Sequence, residues 1–507
     1  MGDLMRCGSL EYLGLEIEGN RLILLLGHCA AALSIFSQRG GIMKLQVFLA
    51  FVLLVLLVAC GTSQEAAEVP LPTDADEPTR PLQLSPTQTP TQAPTPSSDS
   101  DSEPYIDAQP ATALADEVVK IQVGGLAPGQ TVTLRASLRD DRSQRWESYA
   151  TFLSDRSGIV DVSTQAPISG TYSIADPMGL FWSMLPKVPG NESPAFENYN
   201  TYFIQVIITA EIDDEQVATA YIKRIRLQQD VNRVSMYEDG GPVAYFFTPN
   251  GEGPHPTLIV LGGSGGVVDI RKAALLASHG YATLGLAYFG GGPLPEGLSE
   301  IPLEYFETTI DWLKSQDVVD EGRIGVIGTS RGGELALLLG ATFPDLKVVV
   351  GYVPSGVVWG NYTSTSIGEK SAWTYQGKPI PFVIEGNAET LEAATIPVEK
   401  INGPILLISG KDDQVWPSTE LSEIAMARLK EHDHPYPYEH LSYEDAGHGI
   451  CEPPYWPTTM AQYRYNHPVT GAEFVSGGTA RGNAHAIADA WAHVLEFLES
   501  NLKNPAP

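Results

Sequence analysis

The sequence predicts two folded regions in series: an all-β sandwich, then an α/β region whose mostly parallel sheet is covered by helices on both faces. Three observations predict it. Residues 118–226 carry short alternating strand-like runs punctuated by turns. From residue 235 onward, apolar runs alternate with helix-forming stretches. Within that second region Arg323-Ile324-Gly325-Val326-Ile327 leads through Gly328-x-Ser330-x-Gly332 into the helix-forming residues 334–339.

Composition bounds the function before any motif is read. A chain of 507 residues with 43% hydrophobic and 9% aromatic residues is long enough for more than one core. Its formal charge of −30 argues against a nucleic-acid partner, because no basic cluster offsets the repulsion of a phosphate backbone. Of the four cysteines, Cys7, Cys29 and Cys60 precede the folded regions and only Cys451 falls within them. That leaves no disulfide framework and no zinc spacing, and no metal or cofactor is implied.

The N-terminal part reads as a targeting segment. Met43-Lys44 is followed by an uncharged apolar run over residues 47–59 and then Cys60-Gly61. Leu57-Val58-Ala59-Cys60 resembles the lipobox of bacterial lipoproteins, so Cys60 is expected to become the lipidated first residue. An uncleaved signal anchor is the alternative. Either way the folded part is expected outside the cytoplasm, anchored to a membrane of the cell envelope. Glu16, Glu18 and the apolar patch at residues 22–26 do not suit the opening of a signal, so translation is expected to begin at Met43. Residues 1–60 are thus extension and signal. Residues 61–105, rich in Pro, Thr and Ser, form an extended tether that cannot bury a core.

The sandwich is expected over residues 106–234, with strands at 118–123, 131–139, 201–210 and 217–226. It offers no catalytic cluster. Phe181-Trp182 is read as packing, and the loop-like stretch 175–182 is expected to lie against the second region.

The α/β region, residues 235–507, is expected to place strands at 257–261, 281–288, 324–327, 348–353, 404–409 and 439–443. Helices are expected at 271–279, 303–315, 418–429 and 484–502, and residues 358–400 read as an insertion over the site. Ligands of such sheets gather at the carboxyl ends of the strands. Ser330 sits on the strand-to-helix turn, where small neighbours are needed and the hydroxyl projects outward. The amide of Arg331, at the start of the following helix, is a candidate oxyanion donor. After the strand at 257–261, Gly262-Gly263-Ser264-Gly265-Gly266 offers a second donor from Gly263, Ser264 or Gly265. After the strand at 404–409 stands Asp412-Asp413. Asp413 is favoured as the carboxylate that orients a histidine, and helix capping is the other role open to either acid. After the strand at 439–443, Gly447-His448-Gly449 supplies the candidate base in the order Ser, Asp, His; His485 is the rival, placed to cap or pack the last helix. Cys451 reads as a buried thiol. These parts suit an acyl-enzyme on Ser330 that water then releases.

Taken together, several stretches resemble the type I acyl-CoA thioesterase and bile-acid-CoA:amino-acid N-acyltransferase family, across nearly all of residues 115–502. Gly125-Leu126-Ala127-Pro128-Gly129-Gln130, Leu134-Arg135-Ala136-Ser137-Leu138-Arg139-Asp140 and Pro177-Met178-Gly179-Leu180 are similar to its N-terminal β-sandwich. Leu303-Glu304-Tyr305-Phe306-Glu307, Gly328-Thr329-Ser330-Arg331-Gly332-Gly333-Glu334-Leu335, Gly410-Lys411-Asp412-Asp413 with Trp416, and Gly447-His448 with Glu452-Pro453-Pro454-Tyr455 are similar to its catalytic domain. So are Ala484-His485-Ala486 and Asp489-Ala490-Trp491; Leu294-Pro295 matches only loosely. The resemblance implies an α/β-hydrolase domain behind an immunoglobulin-like sandwich and a triad of Ser330, Asp413 and His448. It also implies hydrolysis, because serine in place of cysteine at the elbow goes with hydrolysis in this family. An acyl-CoA or other acyl (thio)ester is the expected substrate. The alternatives are an extracytoplasmic carboxylic-ester hydrolase, an acyl-CoA:amino acid N-acyltransferase, and an inactive surface binding protein.

Overall fold

The computed structural model describes residues 103–187, 196–197, 203–237, 241–266, 268–384, 387–459, 461 and 464–505. The expected signal, Cys60 and nearly all of the tether lie outside them. Among the described residues no helix is long and apolar enough to cross a membrane.

Two sheets make the sandwich. The smaller joins Tyr105–Gln109, Lys120–Gly124 and Val160–Asp161. The larger runs in the order Thr112–Leu114, Glu215–Ile225, Phe203–Ile212, Thr131–Arg139, Arg145–Leu153, Ser169–Gly170. Along Thr131–Arg139 the residues Val132, Leu134, Ala136 and Leu138 all point inward, which is the period-2 pattern of a half-buried strand. They meet Ile121, Val123, Trp146, Phe152, Val206 and Ile208 in one apolar cluster. Phe181 and Trp182 are buried in it as well, on the short helical turn Gly179–Trp182.

The second region is built on an eight-stranded sheet. Its strands are β1 (Asn232–Met236), β2 (Ala244–Thr248), β3 (His255–Leu261), β4 (Ala282–Leu286), β5 (Val319–Thr329), β6 (Leu346–Tyr352), β7 (Ile405–Gly410) and β8 (Tyr438–Tyr443). They lie in the order β1-β2-β4-β3-β5-β6-β7-β8, with β3 to β8 parallel and β2 antiparallel to both of its neighbours. Helices α1 (Ile270–Ser278) and α5 (Ala480–Leu498) cover one face. The other carries α2 (Glu304–Lys314), α3 (Arg331–Thr342) and α4 (Ser418–Glu431). With both faces covered, the middle of the sheet is buried: β4 and β7 have no exposed residue, and β5 is exposed only at Glu321 and Gly322. This is an α/β-hydrolase sheet.

Two features differ from the expectation. The sheet opens with β1 and β2, neither of which the sequence announced, and β1 begins at Asn232, inside the stretch expected to close the sandwich. β1 is an edge strand with four of its five residues exposed, so it carries no inward-outward contrast to read. Between β6 and β7 the chain folds over the sheet. Gly360–Tyr362 pairs with Ile367–Ser371, and Trp373–Tyr375 pairs with Ile301–Pro302 from the loop that follows β4.

Candidate active site

Four loops, those after β3, β5, β7 and β8, carry the candidate residues at the carboxyl ends of the parallel strands. The turn between β5 and α3 carries Ser330 at φ 56° and ψ −119°, a conformation that side-chain-bearing residues rarely adopt. Hydrogen bonds on both sides hold it there. Ser330 N–H donates to the Tyr352 carbonyl at 2.8 Å, and its own carbonyl accepts from Gly333 N–H at 2.8 Å and Glu334 N–H at 3.0 Å. The flanking glycines follow from contact distances. A Cβ at Gly328 would stand 2.0 Å from the Gly332 carbonyl oxygen, and one at Gly332 would stand 2.2 Å from that of Gly262. Neither position tolerates a side chain without pulling the turn open.

Charge is placed behind the turn. Lys272 of α1, buried, donates from Nζ to Thr329 Oγ1 at 2.8 Å and pairs with Asp269 at 3.1 Å, with the ammonium 4.5 Å from the Tyr352 ring centroid. Burial alone pushes the Asp269 carboxyl up, but the cations at Lys272 and Arg271 prevail and hold it below its ordinary value.

Asp413 follows β7 and is withdrawn from water, its side chain 1% exposed. Its Oδ1 accepts from Val415 N–H at 3.0 Å and Trp416 N–H at 3.2 Å; its Oδ2 accepts from His448 Nδ1 at 2.8 Å. That last bond fixes the tautomer of His448 and leaves Nε2 as the basic nitrogen. The neighbouring Asp412 turns the other way and accepts from Gly478 N–H at 2.8 Å and Gln414 Nε2 at 3.1 Å. Of the two acids, the geometry brings Asp413 to the histidine and gives Asp412 to the loop at 477–478.

His448 opens a short 3₁₀ turn, His448–Cys451, after β8. Its N–H donates to the Ser476 carbonyl at 2.7 Å, and the preceding Gly447 N–H donates to Asn483 Oδ1 at 2.8 Å. The Trp416 indole meets the imidazole edge-on, with centroids 6.1 Å apart, and is itself held by its N–H to the Val353 carbonyl at 3.0 Å. The other candidate base, His485, sits away from this cluster and bonds through Nε2 to Asp176 of the sandwich at 2.9 Å. Asp176 also accepts from Trp182 Nε1, so the loop expected to lie against the second region does so here. Cys451 donates to the His448 carbonyl at 3.5 Å, and burial pushes its thiol up to about 12.

The glycine loop after β3 lies directly against Ser330. A Cβ built on Gly263 would be 3.4 Å from Ser330 Cβ and 3.9 Å from Ser330 Oγ. Tyr288 O–H donates to the Gly262 carbonyl at 2.6 Å, and Ser264 Oγ is tied to His467 Nε2 at 2.9 Å, so Gly263 and Ser264 are held from both ends. His467 Nδ1 accepts from Val469 N–H at 3.2 Å, which makes Nε2 the donor to Ser264. Gly265 lies farther along, beside Pro468. Arg331 is the first residue of α3, where a backbone N–H has no intrahelical acceptor.

The side chain of Arg331 runs the other way, into the interior. Nη2 donates to the Trp359 carbonyl at 3.1 Å and lies 3.4 Å from Glu334 Oε1, which also accepts from Trp373 Nε1 at 2.8 Å. Burial pushes the Glu334 carboxyl up to about 7, with Arg331 and the Trp373 N–H pulling the other way. Sequence reading did not find this group, nor Lys272, His467 or Asn483. Glu334 lies four residues after Ser330 on the helix, and a charged residue facing the core there was the one available sign.

Residues 301–504 match the family described as BAAT / Acyl-CoA thioester hydrolase C terminal, and residues 116–238 match the Acyl-CoA thioester hydrolase/BAAT N-terminal region. Acyl-coenzyme A thioesterase 6 of Mus musculus is 32% identical over 410 residues, covering 77% of this chain and 95% of the relative. Acyl-coenzyme A amino acid N-acyltransferase 1 of Mus musculus is 33% identical, covering 78% and 97%. The peroxisomal succinyl-coenzyme A thioesterase of Mus musculus is 30% identical, covering 76% and 94%. With both regions matched in order and relatives covered almost end to end, the chain belongs to the acyl-CoA thioester hydrolase/BAAT family.

Proposed function

We propose that this protein hydrolyses acyl thioesters through an acyl-enzyme on Ser330, with His448 as base and Asp413 as the acid that orients it. The observation that carries the reading is the 2.8 Å bond from His448 Nδ1 to a carboxylate 1% exposed, on loops that follow adjacent strands of the sheet presenting Ser330. His448 Nε2 takes the proton of Ser330 Oγ as Oγ attacks the acyl carbonyl carbon. The oxyanion is received by Arg331 N–H and an amide of Gly263, Ser264 or Gly265. Collapse breaks the C–S bond, and the imidazolium gives its proton to the departing thiolate. Water, deprotonated by the same nitrogen, then attacks the acyl-enzyme and releases the acid. Asp413 balances the imidazolium that forms in each half.

Serine at the elbow supports hydrolysis over transfer to an amino acid, and relatives bearing thioesterase names support the thioester. The test compares acyl-CoA thioesters with matched p-nitrophenyl esters, with Ser330→Ala as control and glycine or taurine added. Thioester turnover lost in the variant, with free acid as product, is the expected result. Turnover unchanged in Ser330→Ala refutes the mechanism, and an acyl-amino acid product replaces hydrolysis by transfer. We further propose that Cys60 is lipidated and holds the folded part outside the cytoplasm; mass spectrometry showing an unmodified Cys60 in the mature protein refutes this.

A further inference from the structure

Beside the glycine loop lies a cavity of about 770 Å³, walled by Gly265 and Gly266, by the loop after β4, and by the segment 361–370 that folds over the sheet. It is large enough for a drug-sized group. Its chemistry is uniform along most of the wall. Ser299, Asn361, Thr363, Ser364, Thr365 and Ser366 present hydroxyls and an amide, whereas Phe289, Pro468 and Val469 are its apolar residues. Most of these polar groups are committed to shaping the wall. Asn361 Oδ1 accepts from Glu369 and Lys370 N–H, its Nδ2 donates to Ser366, and Thr363 Oγ1 donates to the Ser366 carbonyl. Among the described residues the hydroxyls of Ser299 and Ser364 find no such partner and are available to a ligand.

Charge on the wall is acidic. Glu296 and Glu369 face one ammonium, Lys370, which is 2.7 Å from Glu300 and so already paired. A phosphate needs free cations or forked guanidinium donors, and here it would meet two carboxylates and a neutralised lysine. An alkyl chain fares little better, because it would strip water from hydroxyls without replacing their hydrogen bonds. We propose that this cavity takes an uncharged portion of the substrate bearing hydroxyl or amide groups, and that it accommodates neither the phosphates of a nucleotide nor a bare alkyl chain. The inference rests on the thioester-hydrolase reading for the identity of the site, and deepens it.

Two sources would supply that chemistry: a pantetheine-like leaving thiol or a hydroxylated acyl group. Binding is measured first, by titrating full-length Ser330→Ala protein with pantetheine, coenzyme A and octanol. Pantetheine is expected to bind at least tenfold more tightly than octanol, and coenzyme A, which carries the same arm, to bind with its phosphates outside the cavity. Ser299→Ala with Ser364→Ala is expected to weaken pantetheine and coenzyme A alike by about tenfold, as the loss of two hydrogen bonds predicts. Octanol binding as tightly as pantetheine, or both arm-bearing ligands indifferent to the double substitution, overturns the proposal. Turnover by the unmodified protein then identifies the source. A pantetheine thioester preferred over the octyl thioester of the same acid places the thiol in the cavity, and a hydroxyacyl preferred over an alkylacyl thioester of the same thiol places the acyl group there. Preference for neither overturns the proposal. Absence of all turnover while pantetheine binding stays selective defeats the hydrolase reading alone.

Discussion

Asp413→Asn tests the candidate site most sharply, because the substitution keeps the shape and removes one charge. Asn retains an Oδ1 for the Val415 and Trp416 N–H groups, so the loop is expected to stay in place. What changes is the partner of His448 Nδ1, 2.8 Å away. The amide N–H₂ turned toward it makes Nδ1 an acceptor, which moves the proton to Nε2 and leaves that nitrogen unable to act as the proposed base. The imidazolium also loses its countercharge. At an effective dielectric of about 20, unit charges at this separation attract by ~6 kcal/mol, which corresponds to a rate loss of roughly 10⁴-fold. The assay is kcat for a thioester that Ser330→Ala no longer hydrolyses, with unfolding curves to show that the variant is folded. Asp412→Asn is the matched control, since its carboxylate serves Gly478 and Gln414, and its kcat is expected to fall by less than about tenfold. An Asp413→Asn protein within tenfold of the parent, or an Asp412→Asn protein that is the crippled one, refutes the assignment.

Gly263→Ala places a methyl group 3.9 Å from Ser330 Oγ at ordinary packing distances. The protein is expected to keep its melting temperature while kcat falls about 10²-fold, the usual loss when an oxyanion donor is displaced; unchanged kcat would move the oxyanion donor away from Gly263. Glu334 titrates at about 7 in the fold against 4.5 ordinarily, so its protonated form is the one the fold favours. The contribution is full below about pH 4.5 and is lost as pH rises through about 7, an amount near 3 kcal/mol at ~1.4 kcal/mol per unit. Urea unfolding of the parent is therefore expected to weaken between pH 5 and 8.5 by more than that of Glu334→Gln, and parallel pH profiles would contradict the account. Asp116 accepts from His279 Nε2 at 2.6 Å and Trp491 Nε1 at 2.7 Å across the two regions. Burial alone would push its carboxyl up, but those bonds prevail and hold it below 3.8, so its contribution is present above that value and is lost as pH falls beneath it. Asp116→Ala strands one buried donor, Trp491 Nε1, and one partly exposed donor, His279 Nε2, and is expected to cost about 1–3 kcal/mol in urea unfolding, with no loss expected if the contact is merely incidental.

Much of the site was legible because its constraints are local. Gly328 is dictated by the Gly332 carbonyl, within five residues of Ser330, and Asp413 follows a strand whose apolar run is plain in the sequence. What escaped is what folding brings together from afar. Lys272 meets Thr329 from 57 residues away, and Ser264 meets His467 from 203 away, with no motif joining them. The strand Arg145–Leu153 was also missed. Its inward positions Trp146, Ser148, Ala150 and Phe152 include a serine, and Glu147 on the opposite side is covered by Arg135, Arg145 and Lys187, so the polar-apolar contrast is blurred in both directions.

The sandwich, none of whose described residues is among the candidate site residues, reaches the loop of His448 through a short chain of contacts. The loop that carries His448 is tied to the loop after β7 by Asp412 N–H on the Ala446 carbonyl; its fixed points toward α5 are Gly447 N–H on Asn483 Oδ1, His448 N–H on the Ser476 carbonyl, and the Asp445 carbonyl accepting from Thr479 N–H. All three partners belong to the start of α5 or to the few residues leading into it. That end of α5 is where the sandwich takes hold. Ala484 lies in the sandwich core, His485 bonds to Asp176, and Trp456, a few residues beyond His448, stacks on Phe196 beneath the Arg226 guanidinium. Asn483, next in sequence to the anchored Ala484, in turn holds the backbone before His448 through Gly447 N–H. The sandwich therefore holds only the start of α5, whose remaining length packs on the sheet through Ala486, Ile487, Ala490 and Trp491, and the histidine loop draws backbone partners from the stretch where the two meet.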